Sequence, residues 1–443
     1  MVSTTTESRL HLHRAARVVD GAGIDATPGA LLRRGAEVIA AGTPASIGVP
    51  ADAVIEDHAD SVILPALGNA HAHLDLTAIE PAPFDGDFAR WLARILDWRR
   101  DFGLEGAKRS LRLGAELTLA GGVAMVGDIL GSPAREQGVE LLERAGLSGV
   151  AFVEVFGVGK GEAAALAAVE RIRQLARTSD SGEAGGDRLR LRVGIQPHAP
   201  QTTTSRVLES ALRSGMPLSI HLAESEAEIE YCTRGTGPMR TLLERSGAIE
   251  RTQGDGAAAA AIPSEHPVDW FCDLVRAVDR VAGTEAPTRL AVHLEQMLDH
   301  HCERLRELGV AAITCPRSSR YFGRRGMPWR RLRDAGVTVA LGTDGRLCLD
   351  TPDRISTLDE MRCLWRDAGA ALESTLPLAT VCVARALGAP EAPFTLRPGV
   401  KPGVLRVECG ADPREGALRS NAAPTWIVHP ARTRAAVSRA GSA

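Results

Sequence analysis

The 443-residue chain reads as an α/β protein: a (β/α)8 barrel of the TIM type with a small β-sandwich domain built from both termini. Three observations predict this. From about residue 62, short apolar runs alternate with helix-like stretches eight times, and strands that alternate with helices pair in parallel and close into a barrel. The segments on either side, 1–61 and 390–443, lack that alternation and carry short strands and turns, so they are assigned to the small β domain and 62–389 to the barrel. Finally, the turn after the first apolar run, Gly68-Asn69-Ala70-His71, is not the glycine-rich phosphate turn that an open doubly wound sheet favours.

Taken in order, Leu31–Gly42 reads as a hairpin turning near Arg34-Gly35. The eight barrel strands are expected at Val62–Leu67, Val123–Ile129, Val150–Phe156, Leu189–Gln196, Pro217–Leu222, Leu290–Leu294, Val310–Cys315 and Val337–Gly342. Helices are expected between them at Ala163–Thr178, Arg206–Gly215, Pro238–Ser246, Pro267–Val281 and Cys302–Leu308. In Pro267–Val281, Trp270, Phe271, Leu274, Val275 and Val278 recur at helical spacing and form a packing face. The glycine-rich Ser179–Asp187 and the alanine-containing Thr252–Pro263 read as insertions or mobile loops. Val404–Glu408 and Pro424–Val428 read as strands of the small domain.

Composition narrows the function. The formal net charge is −3, from 52 basic and 55 acidic residues that are interspersed. The partner expected is therefore a small-molecule substrate, with no nucleic acid and no membrane, while a homo-oligomer stays open. All but three of the basic residues are arginine, which reflects genome composition. Eight cysteines are scattered singly, as in reduced, buried thiols. With no basic-then-apolar signal pattern and no apolar run of about 20 residues, a cytoplasmic protein is expected.

Polar residues gather where the predicted strands end. His71 and His73 follow strand one, and a His-x-His on extended backbone projects both imidazoles to one side. His198 follows strand four, His221 and Glu224 strand five, His293 strand six and Asp344 strand eight. Five of the 12 histidines thus fall on the C-terminal rim, where barrels collect their catalytic groups. Imidazole and carboxylate ligands suit zinc, and also iron. A second His-x-His, His11 and His13, lies in the first terminal strand without acidic or histidine-rich sequence neighbours and reads as structural.

On these residues the chain resembles the amidohydrolase superfamily over nearly its whole length. His71-x-His73, His221, His293 and Asp344 match its ordered set after strands one, five, six and eight. The superfamily's metal-bridging lysine after strand four is missing, since Lys160 follows strand three, and His221-x-x-Glu224 marks the mononuclear branch of deaminases and triazine hydrolases. Pro197-His198-Ala199-Pro200, Cys315-Pro316-Arg317-Ser318 and Gly342-Thr343-Asp344-Gly345 look like the group of methylthioadenosine/S-adenosylhomocysteine and aminodeoxyfutalosine deaminases. Phe88-Ala89-Arg90-Trp91-Leu92 resembles the latter more. The chain departs from that group at Gln201, where an aromatic residue is common, and at Arg346-Leu347-Cys348-Leu349, in place of small polar residues.

The resemblance implies one divalent metal, Zn2+ or Fe2+, held by His71, His73, His221 and Asp344, which lowers the pKa of its water toward neutrality. The implied reaction is hydrolytic deamination of an adenine-type nucleoside, aminodeoxyfutalosine or a related adenosine derivative. In it Asp344 takes a proton from the water, His293 orients the water, and Glu224 protonates the ring nitrogen beside the attacked carbon. His198 is a candidate for contacting the sugar or its substituent, and Arg317 for an anionic substituent. The alternatives are an s-triazine or chloro-aromatic hydrolase, a guanine- or cytosine-type deaminase on the same site, and a non-catalytic protein that keeps the fold.

Overall fold

Eight strands, each an apolar run of three to eight residues that is buried almost throughout, build a parallel barrel in the computed structural model. They are β1 (Leu67–Ala72), β2 (Val123–Leu130), β3 (Ser148–Val155), β4 (Leu191–Pro197), β5 (Leu218–Leu222), β6 (Arg289–His293), β7 (Ala311–Thr314) and β8 (Val339–Leu341). Neighbours pair in chain order, all parallel. The ring closes where the tail of β8 returns to β1: Thr343 N and Asp344 N donate to His71 O at 2.9 and 3.1 Å, and Ala72 bridges Asp344. The structure describes residues 9–131, 135–180, 189–250, 265–282 and 287–430. The expected loop at 252–263 lies outside them, as does that at 179–187 apart from Ser179 and Asp180 at a helix end.

The helical layer follows the expected stretches within a few residues. Ser205–Arg213, for example, starts where the Thr204 hydroxyl accepts from Val207 N. Pro267–Ala282 turns Trp270, Phe271, Val275 and Val278 into the core, with Leu274 packed against it. Other helices fall outside the expected stretches, and one of them shapes the site. Phe88–Ala120 begins at an Asp87 cap and is broken at Gly103, whose φ of 52° only glycine adopts cheaply. Its first limb places Phe88, Trp91, Leu92 and Ile95 on the wall of the cavity at the barrel's C-terminal rim.

The terminal segments form one seven-stranded mixed sheet. It comprises Leu10–Val19, Asp25–Ala26, Gly29–Arg34, Glu37–Gly42, Val54–Pro65, Val404–Glu408 and Thr425–Val428. Gly29–Arg34 and Glu37–Gly42 are the expected hairpin. Here one expectation is corrected. Val62–Pro65 is not barrel strand one but the end of the long small-domain strand Val54–Pro65, paired with Leu10–Val19 and Val404–Glu408. Pro65 has no N–H to continue a ladder, and two residues later β1 starts in the other sheet. Because Val62, Ile63, Leu64 and Leu67 are all fully buried, the two strands read as a single apolar run. Among the described residues, no helix is long and apolar enough to cross a membrane.

Candidate metal centre and substrate pocket

The rim residues are aimed by backbone that departs from ordinary strand geometry. Ala223 (φ 51°), His293 (φ 77°), Leu294 (φ 50°) and Asp344 (φ 61°) are the positive-φ residues other than glycine among the described residues. Ala223, Leu294 and Asp344 follow β5, β6 and β8, and His293 is the last residue of β6. Such conformations cost free energy and persist where surrounding structure fixes them. Asn69 ties the two strands that meet at the seam: its Nδ2 donates to Thr343 Oγ1 at 2.8 Å, and its Oδ1 accepts from Thr343 N and His71 N. Gly342 permits their close approach, since a Cβ there would lie 2.8 Å from His71 Cβ.

On this frame His71, His73 and His221 converge, with one ring nitrogen from each within 4.8 Å of the others. His73 Nε2 and His221 Nε2 are 3.3 Å apart. Asp344 Oδ1 lies 3.8 Å from His71 Nε2 and 3.6 Å from His73 Nε2. His221 Nδ1 donates to His198 O at 3.0 Å, which leaves Nε2 as a lone pair turned toward His73. Both nitrogens of His71 and Nδ1 of His73 are buried without a hydrogen-bond partner. Burial, reinforced by the neighbouring imidazoles, holds His71 and His73 well below the ordinary histidine value and so keeps them neutral. A proton on His73 Nε2 can serve only one of His221 and Asp344 and leaves His71 without a partner, whereas a divalent cation would engage all four groups. Three imidazoles and a carboxylate are the donor set such an ion takes. Asp344 is held by Ser318 Oγ, which donates to Oδ2 at 2.6 Å, and by Gly345 N on Oδ1 at 2.8 Å.

His293 stands one step back from this cluster, its ring 5.5 Å from that of His221, and its Nε2 is 4.0 Å from Glu224 Oε2. Arg324 Nη1 donates to Glu224 Oε1 at 2.7 Å. Burial alone would raise Glu224, but His293 and Arg324 outweigh it and hold the carboxyl at about 2. The guanidinium of Arg324 also lies over the rings of Phe88 and Phe322 at 4.6 and 4.4 Å. Beneath the turn, Glu228 accepts from the amides of Ala223 and Glu224 at 2.8 and 2.7 Å and so supports the strained backbone at Ala223. Sequence reasoning found neither Arg324 nor Glu228. The latter lay in reach, four residues beyond Glu224, whereas Arg324 is 100 residues away.

His73, His221, Glu224, His293 and Asp344 open into one cavity of about 270 Å³. Its wall is mainly apolar, with Phe88, Trp91, Phe156, Met239, Leu243 and Leu347 among the lining residues. His198, Gln201 and Glu154 supply polar lining. His198 is packed between Phe156 and His221, its Nδ1 is 2.7 Å from Thr202 Oγ1, and burial lowers it to about 4. Arg317 is elsewhere, and the expectation that it meets an anionic substituent is corrected. It is 1% exposed, with Nε on Glu360 Oε1 at 2.6 Å, Nη1 on Asp350 and Thr351, and Nη2 on Ser356 O. Those donors are already spent inside the protein.

The second His-x-His is also less isolated than expected. Parallel pairing of Leu10–Val19 with Val54–Pro65 sets His11 and His13 beside Glu56 and His58. His11 Nδ1 is 2.9 Å from Glu56 Oε1, and His13 Nδ1 is 3.1 Å from His58 Nε2. What separates this cluster from the first is Arg33, whose Nε donates to His13 Nε2 at 2.9 Å. By filling Nε2 it leaves the proton of neutral His13 on Nδ1, the nitrogen that faces Glu56 and His58. The sequence neighbours of the pair show none of these contacts, which come from the adjoining strands Val54–Pro65 and Gly29–Arg34.

Comparison with known proteins agrees with this geometry. Residues 62–393 match the amidohydrolase family model. An aminodeoxyfutalosine deaminase of Deinococcus radiodurans is 30% identical over 334 residues, 73% of this chain and 73% of the relative. The crystal structure of Helicobacter pylori aminofutalosine deaminase superposes with a TM-score of 0.71 at 19% identity, covering 95% of this chain and 99% of that one. That of an atrazine chlorohydrolase from Arthrobacter aurescens, complexed with zinc, gives 0.68 at 18% identity, covering 95% and 94%. At such identities the two structures bear on the fold alone, while the family match spans the barrel and every rim residue described above. The chain belongs to the amidohydrolase family.

Proposed function

We propose that the protein is a metal-dependent hydrolytic deaminase of an adenine-type nucleoside, aminodeoxyfutalosine or a related adenosine derivative. The observation that carries this is the placement of Glu224 at the edge of the histidine–aspartate cluster, 4.0 Å from His293 and clamped by Arg324. A carboxylate there can deliver a proton to a ring nitrogen while water attacks the adjacent carbon. His71, His73, His221 and Asp344 would hold the ion, zinc by its donor preference with ferrous iron as the second choice. When bound, a divalent metal lowers the pKa of a coordinated water toward neutrality.

Around it the side chains divide the work. Asp344 accepts a proton from the attacking water, and His293 orients that water. Glu224, ionised at rest, takes the water's other proton and gives it to the ring nitrogen next to the amine-bearing carbon, and Asp344 passes its proton to the leaving amine. The water oxygen bonds to that carbon, the C–N bond breaks and ammonia leaves, so an amino group and a water become a carbonyl and ammonia. The apolar wall stacks the base and whatever substituent the sugar carries.

The relative from Deinococcus radiodurans bears a deaminase name, which supports this choice of reaction. The structural likeness to an atrazine chlorohydrolase keeps a second reading in view, displacement of chloride from an s-triazine, since both reactions begin with water at an electron-poor aromatic carbon. A non-catalytic role fits poorly with a rim that retains every group the chemistry needs. The test is ammonia release from zinc-loaded enzyme across adenosine, 5′-methylthioadenosine, S-adenosylhomocysteine, aminodeoxyfutalosine, guanine and cytosine, beside chloride release from atrazine. The adenine nucleosides are expected to release ammonia. Chloride release with no ammonia would overturn the reading.

A further inference from the structure

We propose that Glu154, together with His198 and Gln201, forms a hydroxyl-recognising subsite that reads the sugar diol of the substrate. The inference rests on the nucleoside reading above and adds which residues sense the sugar. Glu154 sits at the end of β3, is 2% exposed, and lines the cavity. Its Oε2 accepts from Arg99 Nη1 at 2.9 Å. Its Oε1 lies 3.9 Å from His198 Nε2, beyond hydrogen-bond reach. Arg99 cannot turn to serve a ligand, because its other arm is held by Asp75 Oδ2 at 3.2 Å, and Asp75 in turn accepts from Gly131 N. The ion pair fixes Glu154 in place and leaves one carboxylate oxygen facing the pocket.

The neighbouring groups are acceptors as well. Gln201, 4% exposed and on the cavity wall, has its Oε1 buried without a partner. The Thr202 hydroxyl donates to Ala199 O at 3.1 Å. His198 Nδ1 therefore donates to Thr202 Oγ1 at 2.7 Å, and its Nε2 is left as a lone pair. Glu154 Oε1, His198 Nε2 and Gln201 Oε1 thus offer three acceptors on residues that line one largely apolar cavity. Buried acceptors without partners are costly, so the ligand that satisfies them must bring donors, and two adjacent hydroxyls do so. The position fits a sugar: the His198 ring centroid lies 5.0 Å from that of His221, one ring removed from the metal-ligating imidazoles where the base would react.

The experiment compares adenosine with 2′,3′-dideoxyadenosine on the zinc-loaded enzyme, by kcat/KM for ammonia release and by calorimetric binding. Wild type is expected to favour the diol by about 10- to 100-fold, the range for hydrogen bonds to a charged acceptor. Glu154→Gln should lose most of that factor on adenosine and change dideoxyadenosine little, so that the ratio collapses. An equal loss on both nucleosides would make Glu154 a structural residue and overturn the subsite, as would a wild type indifferent to the diol. If Glu154→Gln yields too little folded protein, Gln201→Leu, which leaves the Arg99 pairs intact, carries the test. A narrowed ratio supports the subsite and an unchanged one overturns it. Absence of ammonia from every nucleoside would sink the deaminase reading alone, because calorimetry still reports whether the pocket distinguishes the two sugars.

Discussion

In the proposed reaction Glu224 is the residue on which the chemistry turns, and its position makes a sharp prediction. Glu224→Gln keeps the shape and the Arg324 contact but cannot carry a proton to the ring. Metal content should be unchanged while kcat falls by roughly 10²- to 10⁴-fold, the usual worth of a positioned proton donor. Turnover near that of wild type, measured with metal content on the same preparation, would remove Glu224 from its role. The rim residues were legible because each follows an apolar run, and the C-terminal end of a barrel strand is where function concentrates. The groups that tune them were not. Arg324 reaches Glu224 across 100 residues and Arg99 reaches Glu154 across 55, and nothing local marks one arginine among so many. Arg317 shows the reverse failure: it stood in a motif that resembled the family's, yet its surroundings are carboxylates and carbonyls of the protein itself.

Arg317 also belongs to the scale of elements, because it joins two helices. It lies in Pro316–Tyr321 and pairs with Glu360 of Thr357–Ala368, itself fully buried. Removing one partner of a buried pair costs about 3–5 kcal/mol when it strands the other charge. Here burial already pushes Glu360 up to about 7 despite Arg317, so in Arg317→Met the carboxyl should become neutral rather than remain a stranded anion. A loss near the lower end, about 3 kcal/mol, is expected in denaturant unfolding, with KM unchanged across nucleosides with and without an anionic substituent. A selective rise in KM for anionic substrates at unchanged stability would restore the substrate-binding role. Element boundaries were less legible than element types. Val62–Leu67 read as one strand because burial on both sides of Pro65 leaves no polar punctuation between the two sheets. The long helix at Phe88–Ala120 went unread because its apolar residues face the cavity in the first limb and the barrel in the second, and Gly103 interrupts their phase.

At the scale of the whole molecule, the candidate metal centre ties together strands far apart in sequence. His71 and His73 come from β1, His221 from β5, and Asp344 from the tail of β8 that closes the ring. The barrel class was legible from the alternation of runs, but the seam was not, since β8 has only three residues and its closure depends on Asn69 and on backbone bonds to His71. His73 Nε2 and His221 Nε2 face each other at 3.3 Å with Asp344 beside them, so an ion held there would join strands across the barrel rather than within one element. An ion that binds only the folded state stabilises it by about 4 kcal/mol at a free concentration 1,000 times its Kd. Chelation should therefore lower the Tm of the whole barrel in one cooperative transition, and zinc should restore it. In His71→Ala the Tm should start lower and respond little to zinc, because a ligand is gone and the seam strand has lost its anchor. Scanning calorimetry on metal-stripped and zinc-loaded protein, with metal content measured on each, decides the matter. Superimposable transitions with one zinc bound per chain would mean that the cluster is not the stitch across β1, β5 and β8 that its geometry implies.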